Sequence, residues 1–510
     1  MIGDSGTRTP EAVAQLTSWH SDWSGLRVAV LGSGLTGFSV ADTMAELGAS
    51  VLVAAETVDD ATRQIFDVLA VRTALADLDD GPPAELVAFA PELVVVSPGF
   101  PPTHPVVTWV LESGIPLWGD VELAWRLRDK LGSSAEWITV TGTNGKTTTV
   151  QLTAAMLVAG GVRAAPVGNV GVPVLDAIRD PAGFDVLVIE LSSFQLHYVQ
   201  SISPYASACL NIAEDHLDWH GSFRAYRDAK GKVYEHTHVA CVYNSADNAI
   251  RQLVEDADVV EGCRAIGFSL GVPAKSDLGV VDGILCDRAF LDDRHTTALE
   301  IITIGELAEQ QLGSPHMVAN VLAASALARS FGIEIDAIRA AIKQFRPDHH
   351  RSEMVGNREG VTWVNDSKAT NPHAARASLD AFDSVVWIVG GLLKGSSPED
   401  LVSSVAHRLR AAILIGTDRT VLRAAFARHA PELPVFEVDT LDTKEIMPTA
   451  VLLAAKVASD GDVVLLAPAA ASMDQFTNYA DRGTKFADAV QEMLGGEARD
   501  DEPPAPDSAS

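Results

Sequence analysis

The chain is poor in cysteine, poor in positive charge and without a long apolar run, and each shortage removes a class of function. Only four cysteines, Cys209, Cys241, Cys263 and Cys286, occur in 510 residues, none in CxxC spacing. So few make neither a disulfide framework nor a zinc site, and they are expected to be reduced, buried and acting as small apolar residues. Lys and Arg number 38 against 68 Asp and Glu, a net charge of −30. That balance disfavours non-specific binding to nucleic acid or anionic membrane, so any phosphate must be held locally. No stretch reaches the roughly 18 uninterrupted apolar residues of a membrane span, and the opening MIGDSGTRTP has no basic region followed by an apolar core. The expectation is a cytoplasmic protein with no membrane insertion and no nucleic-acid partner.

What remains is an ordinary globular composition, long enough for about three domains. Short apolar runs alternate with amphipathic helices in three α/β segments. The first carries RVAVLGSG from Arg27, SVLVAAE from Ser50 and ELVVVSPG from Glu92; the second carries DVLVIELSS from Asp185, ASACLNIAEDH from Ala206 and HVACVYNSAD from His238. A Gly- and Asp-rich region from Gly271 to Arg294 reads as an irregular β excursion, and a helix is expected to begin near His316. The third segment opens near Arg346 and Pro347 and carries VTWVNDSKATN, VVWIVGGLLKG, AAILIGT and DVVLLAPAAAS. This alternation predicts βαβ units and parallel sheets, with ligands at the carboxyl ends of the strands. The first twenty or so residues, and the acidic, Pro-rich stretch from Glu497, are weakly patterned and are expected to be disordered.

The stretch ITVTGTNGKTTT from Ile138 holds the clearest chemistry. A β run breaks into a glycine loop, Gly142-Thr143-Asn144-Gly145, that leads into Lys146, Thr147 and Thr148. Backbone N–H groups, a helix N-terminus, an ammonium and a hydroxyl for Mg²⁺ then converge on one anionic site, as nucleotide phosphates require. The loop is shorter than the Walker pattern, because Val140 stands where that pattern has glycine. Glu190 ends a very apolar strand, where a carboxylate is costly unless paired or bound to metal; a cation ligand and a helix cap are both open on residue type. Glu214, Asp215 and His216 close a neighbouring strand, and Lys230 and Lys232 lie in a following helix. In the first segment Gly32, Gly34 and Gly37 fit the dinucleotide spacing, so an NAD-dependent oxidoreductase is a rival on that stretch. Against it, Ala54 and Ala55 precede Glu56 where a ribose-binding acid should stand about twenty residues on.

Taken together, GTNGKTT at Gly142, GNVG at Gly168, ELSSFQL at Glu190, NIAEDHLD at Asn211, YRDAK ending in Lys230, HHR ending in Arg351 and NDSKATN at Asn365 resemble the Mur ligase family, in the same order from about Arg27 to Gly495. The resemblance implies an α/β protein of three domains: a Rossmann-like domain over 24–120 for a UDP substrate, a central P-loop-type ATPase domain with a mostly parallel sheet over 121–347, and a Rossmann-like amino-acid domain over 348–496. A disordered acidic tail, 497–510, would follow. It implies a monomeric ATP-dependent ligase that joins D-glutamate to UDP-N-acetylmuramoyl-L-alanine through an acyl phosphate, in cytoplasmic peptidoglycan precursor synthesis. Other Mur-type or folylpolyglutamate-type amino-acid ligases are the alternatives.

The same resemblance assigns residues. Gly142 to Thr148, with Asn320, Arg351 and Asp366, would contact ATP. Thr147, Glu190, His216 and Lys230 would hold two Mg²⁺ ions, Lys230 as a carbamate formed with CO₂, and Lys146, Glu190, His216 and Lys230 would be catalytic. Leu35, Thr36, Ser97, Gly99, Asn169 and His216 would meet the UDP substrate. Lys368, Thr370, Lys394, Ser472, Met473 and Tyr479 would bind D-glutamate. The chain departs from the family pattern at Ala55, where an acid often contacts uracil, at Leu392-Leu393, in place of Asp-Gly, and at Met317, in place of the Asn after His316.

Overall fold

The computed structural model describes residues 7–440 and 442–495. The tail expected over 497–510 lies outside them. Three sheets organise the chain. The first, ordered β3-β2-β1-β4-β5, is wholly parallel and joins β1 (Arg27–Leu31), β2 (Ser50–Ala55), β3 (Arg72–Leu75), β4 (Leu93–Val96) and β5 (Leu117–Gly119).

The second sheet has nine strands, ordered β14-β13-β12-β11-β10-β9-β6-β8-β7. They are β6 (Glu136–Thr141), β7 (Ala164–Gly168), β8 (Val186–Glu190), β9 (Ala206–Cys209), β10 (Ala240–Asn244), β11 (Arg264–Phe268), β12 (Asp277–Val281), β13 (Ile284–Asp287) and β14 (Leu299–Thr303). The expected β excursion is the antiparallel β12–β13 hairpin, extended by β14. The helix expected near His316 runs Pro315–Ser330, opened by a proline in its first turn. It is buried over most of its circumference, because it packs on the sheet and on the helix Lys146–Ala159.

The third sheet, β15-β16-β20-β17-β18-β19, joins β15 (Glu353–Arg358), β16 (Val361–Asn365), β17 (Val385–Gly390), β18 (Leu409–Ile415), β19 (Val435–Glu437) and β20 (Val463–Leu466), with only the β15–β16 pair antiparallel. Strands such as β8 and β17 are buried at every residue. That is why they read as continuous apolar runs rather than alternating ones: a parallel strand covered on both faces has no solvent side.

By its contacts the chain divides into two compact units. One contains the first two sheets and runs to Phe345, apart from Ala213–Asp218; the other contains the third sheet together with Ala213–Asp218. Among the described residues no helix is long and apolar enough to cross a membrane.

The expectation of a disordered first twenty residues is corrected from residue 7 onward. Pro10–Ala14 is helical, capped by the Thr9 side chain, and Val13, Leu16 and Trp23 are buried in the core of the first sheet. Arg126 donates to the Ala14 carbonyl at 2.9 Å, and Asp129 accepts from the Trp19 N–H at 2.7 Å. Three widely spaced apolar residues give no periodic signal; their order comes from partners more than a hundred residues away. The cysteine expectation also needs correction at one position, since Cys263 is only half-buried while the other three are buried.

Candidate active site

The phosphate loop follows β6 as the sequence requires. Gly145 caps the helix Lys146–Ala159 with φ +85°, and Gly142 sits at φ +155°. A side chain at either position would meet the left-handed penalty; at Gly145 a Cβ would also fall 2.3 Å from Asn320 Oδ1. The loop is therefore packed directly against Asn320, a residue the sequence had assigned to the nucleotide. Lys146 Nζ donates to the carbonyls of Gly142 at 2.9 Å and Thr143 at 3.1 Å, so the ammonium is folded over the loop. Thr147 and Thr148 are buried.

Residues outside the assigned set fix this loop. Asn211 clamps it on two sides: its carbonyl accepts from Thr143 N–H at 2.9 Å, its Oδ1 accepts from Asn144 N–H at 2.8 Å, and its Nδ2 donates to the Asn144 carbonyl at 3.0 Å. The hydroxyls of Thr143 and Tyr226 lie 2.7 Å apart. Asn211 stands in NIAEDHLD and Tyr226 in YRDAK, so the motifs were visible although these two roles were not.

Lys230 is 2% exposed, on the helix Phe223–Gly231. Its Nζ donates to Gly142 O at 2.9 Å and to Thr141 Oγ1 at 3.4 Å, and lies 4.8 Å from the Tyr226 ring centroid. The structure thus brings Lys146 and Lys230 onto one carbonyl. Glu190, also 2% exposed, ends β8. Its Oε1 accepts from Asn169 Nδ2 at 3.0 Å, while Oε2 is buried without a hydrogen-bond partner. The helix after it, Ser193–His197, is capped by Ser192 and Gln195 rather than by Glu190, so the helix-cap reading of Glu190 is set aside. A buried carboxylate oxygen left unsatisfied costs free energy that a bound cation would recover, so the oxygen donors here fit Mg²⁺. Among the described residues no three His, Cys, Asp or Glu side chains are gathered for a metal.

His216, at φ +53°, belongs with the second unit, held by its own backbone N–H to Asp215 Oδ1 at 3.0 Å and with Nε2 3.7 Å from Asp215 Oδ2. Asp215 in turn accepts from Asn371 Nδ2 at 3.1 Å.

In the first sheet Gly37 is required by close packing, since a Cβ there would lie 2.0 Å from the Gly32 carbonyl. Gly34 caps the helix Leu35–Glu46, whose first residue, Leu35, is 75% exposed beside the half-buried Thr36. Ser97 Oγ is buried without a partner and lies 2.8 Å from where a Gly32 side chain would begin, and the Gly99 carbonyl accepts from Trp219 Nε1 at 3.3 Å. Ala55 is buried at the end of β2 and Glu56 is exposed.

In the third sheet the strand-end loops are tied to one another. Leu392 and Ala471 exchange two backbone hydrogen bonds of 2.9 Å, bringing the loop of Lys394 to that of Ser472 and Met473. Ser367 Oγ donates to the Tyr479 carbonyl at 2.7 Å, and Lys368 Nζ lies 3.8 Å from the Tyr479 ring centroid. Arg482, wholly buried, braces the same pair by donating to Ser367 Oγ at 3.0 Å, Ser367 O at 2.9 Å and Ala470 O at 3.1 Å. Nothing in the sequence singled out Arg482. Asp366 is held by the Ser378 hydroxyl and the Ser352 N–H, and its burial raises it above the usual carboxylate range.

Residues 140–328 match the Mur ligase middle domain, and residues 350–470 match the Mur ligase, glutamate ligase domain. The chain belongs to the Mur ligase family. It is 62% identical to the UDP-N-acetylmuramoylalanine-D-glutamate ligase of Leifsonia xyli subsp. xyli, over 97% of this chain and 98% of that one. It is 51% identical to the enzyme of the same name from Streptomyces avermitilis, over 92% and 99%. Among solved structures, MurF ligase from Thermotoga maritima in complex with ADP matches with TM-score 0.55 at 18% identity, covering 93% of this chain and 96% of that one. MurC from Thermotoga maritima matches with TM-score 0.54 at 17% identity, covering 92% and 100%. These structural likenesses support the Mur ligase fold alone. Of the departures from the family pattern, Leu392 lies at the backbone bridge to Ala471, which explains nothing about its side chain.

Proposed function

We propose that this Mur ligase joins D-glutamate to UDP-N-acetylmuramoyl-L-alanine, with ATP cleaved to ADP and phosphate, as a monomer in the cytoplasm. The observation that carries the reading is the 62% identity, end to end, with a relative named for that reaction. Residues 24–120 would take the UDP substrate through Leu35, Thr36, Ser97 and Gly99, with Asn169 and His216 toward the reacting carboxylate; 121–347 would take ATP, and 348–496 the amino acid.

A carboxylate is a poor electrophile, so ATP must first convert it to an acyl phosphate, which the amine attacks with loss of phosphate. No covalent enzyme nucleophile is needed; positioning and charge neutralisation suffice. Lys146 and the loop N–H groups would hold the triphosphate, joined by Asn320, Arg351 and Asp366. Lys146 would exchange its loop carbonyls, Gly142 O and Thr143 O, for phosphate oxygens. Thr147 and Glu190 would offer oxygen donors to Mg²⁺, with His216 and Lys230 also proposed as ligands; the cation, when bound, would supply charge neutralisation for the transferring phosphoryl group. Lys230 as an ammonium only donates, here to Gly142 O. Loss of two protons and addition of CO₂ to the nitrogen would give a carbamate, which keeps one N–H and adds anionic oxygens. Lys368 and Lys394 suit an amino acid with two carboxylates, and Ser472, Met473, Thr370 and Tyr479 complete that set.

Phosphate release from ATP, measured with UDP-N-acetylmuramoyl-L-alanine and one amino acid at a time, tests the proposal. D-glutamate should support turnover and L-glutamate, L-alanine and a diamino acid should not. Turnover with any of those in place of D-glutamate would reassign the substrate.

A further inference from the structure

The sulfurs of Cys241, in β10, and Cys263, just before β11, lie 3.7 Å apart and are used by nothing in the ligase chemistry. Cys241 is fixed: it is buried in β10, opposite Ser207 of β9, whose hydroxyl donates to its sulfur at 3.7 Å. Cys263 is different. It sits on the turn before β11, with its N–H bonded to Val260 O at 3.0 Å and Gly262 before it at φ +94°, and it is half-buried. Cys263 is therefore partly exposed on a turn, with the buried Cys241 sulfur beside it. A disulfide bond is about 2.05 Å long, so closure needs an approach of roughly 1.7 Å, which a turn residue can supply.

We propose that this pair is a reversible oxidation site for hydroperoxides, with Cys263 attacking the oxidant and Cys241 resolving it to a disulfide. The Cys263 thiolate attacks the peroxide, its S–O bond forming as the O–O bond breaks and an alkoxide or hydroxide leaves; Cys263 is thereby oxidised by two electrons to the sulfenic acid. The Cys241 thiol then gives up its proton and attacks that sulfur. The S–S bond forms, the S–O bond breaks, and the hydroxyl leaves with the proton as water. Reactivity follows the asymmetry of the surroundings. A hydrogen bond from the Cys241 thiol and others from backbone N–H groups hold the Cys263 thiol below the ordinary thiol range; the Cys263 sulfur beside it, together with burial, pushes Cys241 up. Cys209 and Cys286 are buried, and no such partner faces either among the described residues.

The test uses the full-length chain, reduced, freed of reductant and treated with hydrogen peroxide, then alkylated in denaturant and mapped as non-reduced peptides by mass spectrometry. The expected product is one cross-link, Cys241 to Cys263, with the loss of two hydrogens, Cys209 and Cys286 alkylated, and both thiols restored by dithiothreitol. In Cys241→Ser the reaction should stop at a dimedone-reactive sulfenic acid on Cys263. Full alkylation of all four cysteines after peroxide, or a sulfinic acid on Cys263 with Cys241 still free in the wild-type chain, would overturn the proposal. The wild-type map decides the matter even where the serine variant folds poorly.

Discussion

Replacing Gly145 by alanine should separate two costs that the phosphate loop normally avoids together. The backbone at Gly145 is left-handed, φ +85°, and the added Cβ would stand 2.3 Å from Asn320 Oδ1, 3.1 Å from its Cγ and 3.2 Å from its Nδ2. Gly161, just beyond the other end of the same helix, shares φ +85° but has nothing within 4 Å of its Cβ position. Gly161→Ala therefore isolates backbone strain, about 1–2 kcal/mol. Gly145→Ala adds displacement of a buried amide, a further 1–3 kcal/mol or so by analogy with other overpacked sites. At about 3 °C per kcal/mol for a domain of this class, the melting temperature should fall by about 4 °C in Gly161→Ala and about 10 °C in Gly145→Ala. Because Asn320 is proposed to touch the nucleotide, Gly145→Ala should also raise KM for ATP by about tenfold, the equivalent of one lost contact of roughly 1.4 kcal/mol, while Gly161→Ala leaves it unchanged. Scanning calorimetry and initial-rate kinetics read both. Equal losses of stability in the two variants, with KM for ATP unaltered in each, would refute the packing of Asn320 on the loop.

Asp120, whose Oδ2 accepts from Gln195 Nε2 at 3.0 Å while Oδ1 has no partner, is raised by burial from an ordinary 3.8 to about 6. The folded state holds its proton longer than the unfolded one, so this group's favourable contribution is present below pH 3.8 and lost as pH rises toward 6, worth about 3 kcal/mol. Asp120→Asn should accordingly stabilise the chain to urea at pH 7 and give no gain at pH 4; an equal effect at both would contradict the assignment. Lys230→Ala should lose turnover that formate or acetate partly restores, and full activity in the plain variant would remove the carbamate. Arg482→Lys keeps a cation but loses the fork that braces Ser367, so KM for D-glutamate should rise about tenfold or more with KM for ATP constant. Parallel rises in both would reduce Arg482 to a general structural role.

The legible parts of the fold were those with local signals. Parallel strands read as apolar runs because both faces are covered, and the phosphate loop announced itself through Gly145, Lys146 and the helix that follows. The Asn211 clamp was hidden because it acts 67 positions from Asn144. Arg482 was hidden more deeply: it reaches Ser367 across 115 positions, and a buried arginine that binds a hydroxyl and carbonyls has no sequence signature. The N-terminal helix failed for the same reason, its order residing in Arg126 and Asp129. Cys241 and Cys263 looked inert because their 22-residue spacing matches no motif; the register of β10 with β11 is what makes them neighbours.

In the proposed reaction the carboxylate of the UDP substrate is activated as an acyl phosphate. The most direct test is to label that carboxylate with heavy oxygen, run the reaction with ATP and D-glutamate, and weigh the released phosphate by mass spectrometry. An acyl phosphate requires one labelled oxygen to pass to phosphate in each turnover. Phosphate released without label, while amide product accumulates, would contradict the account.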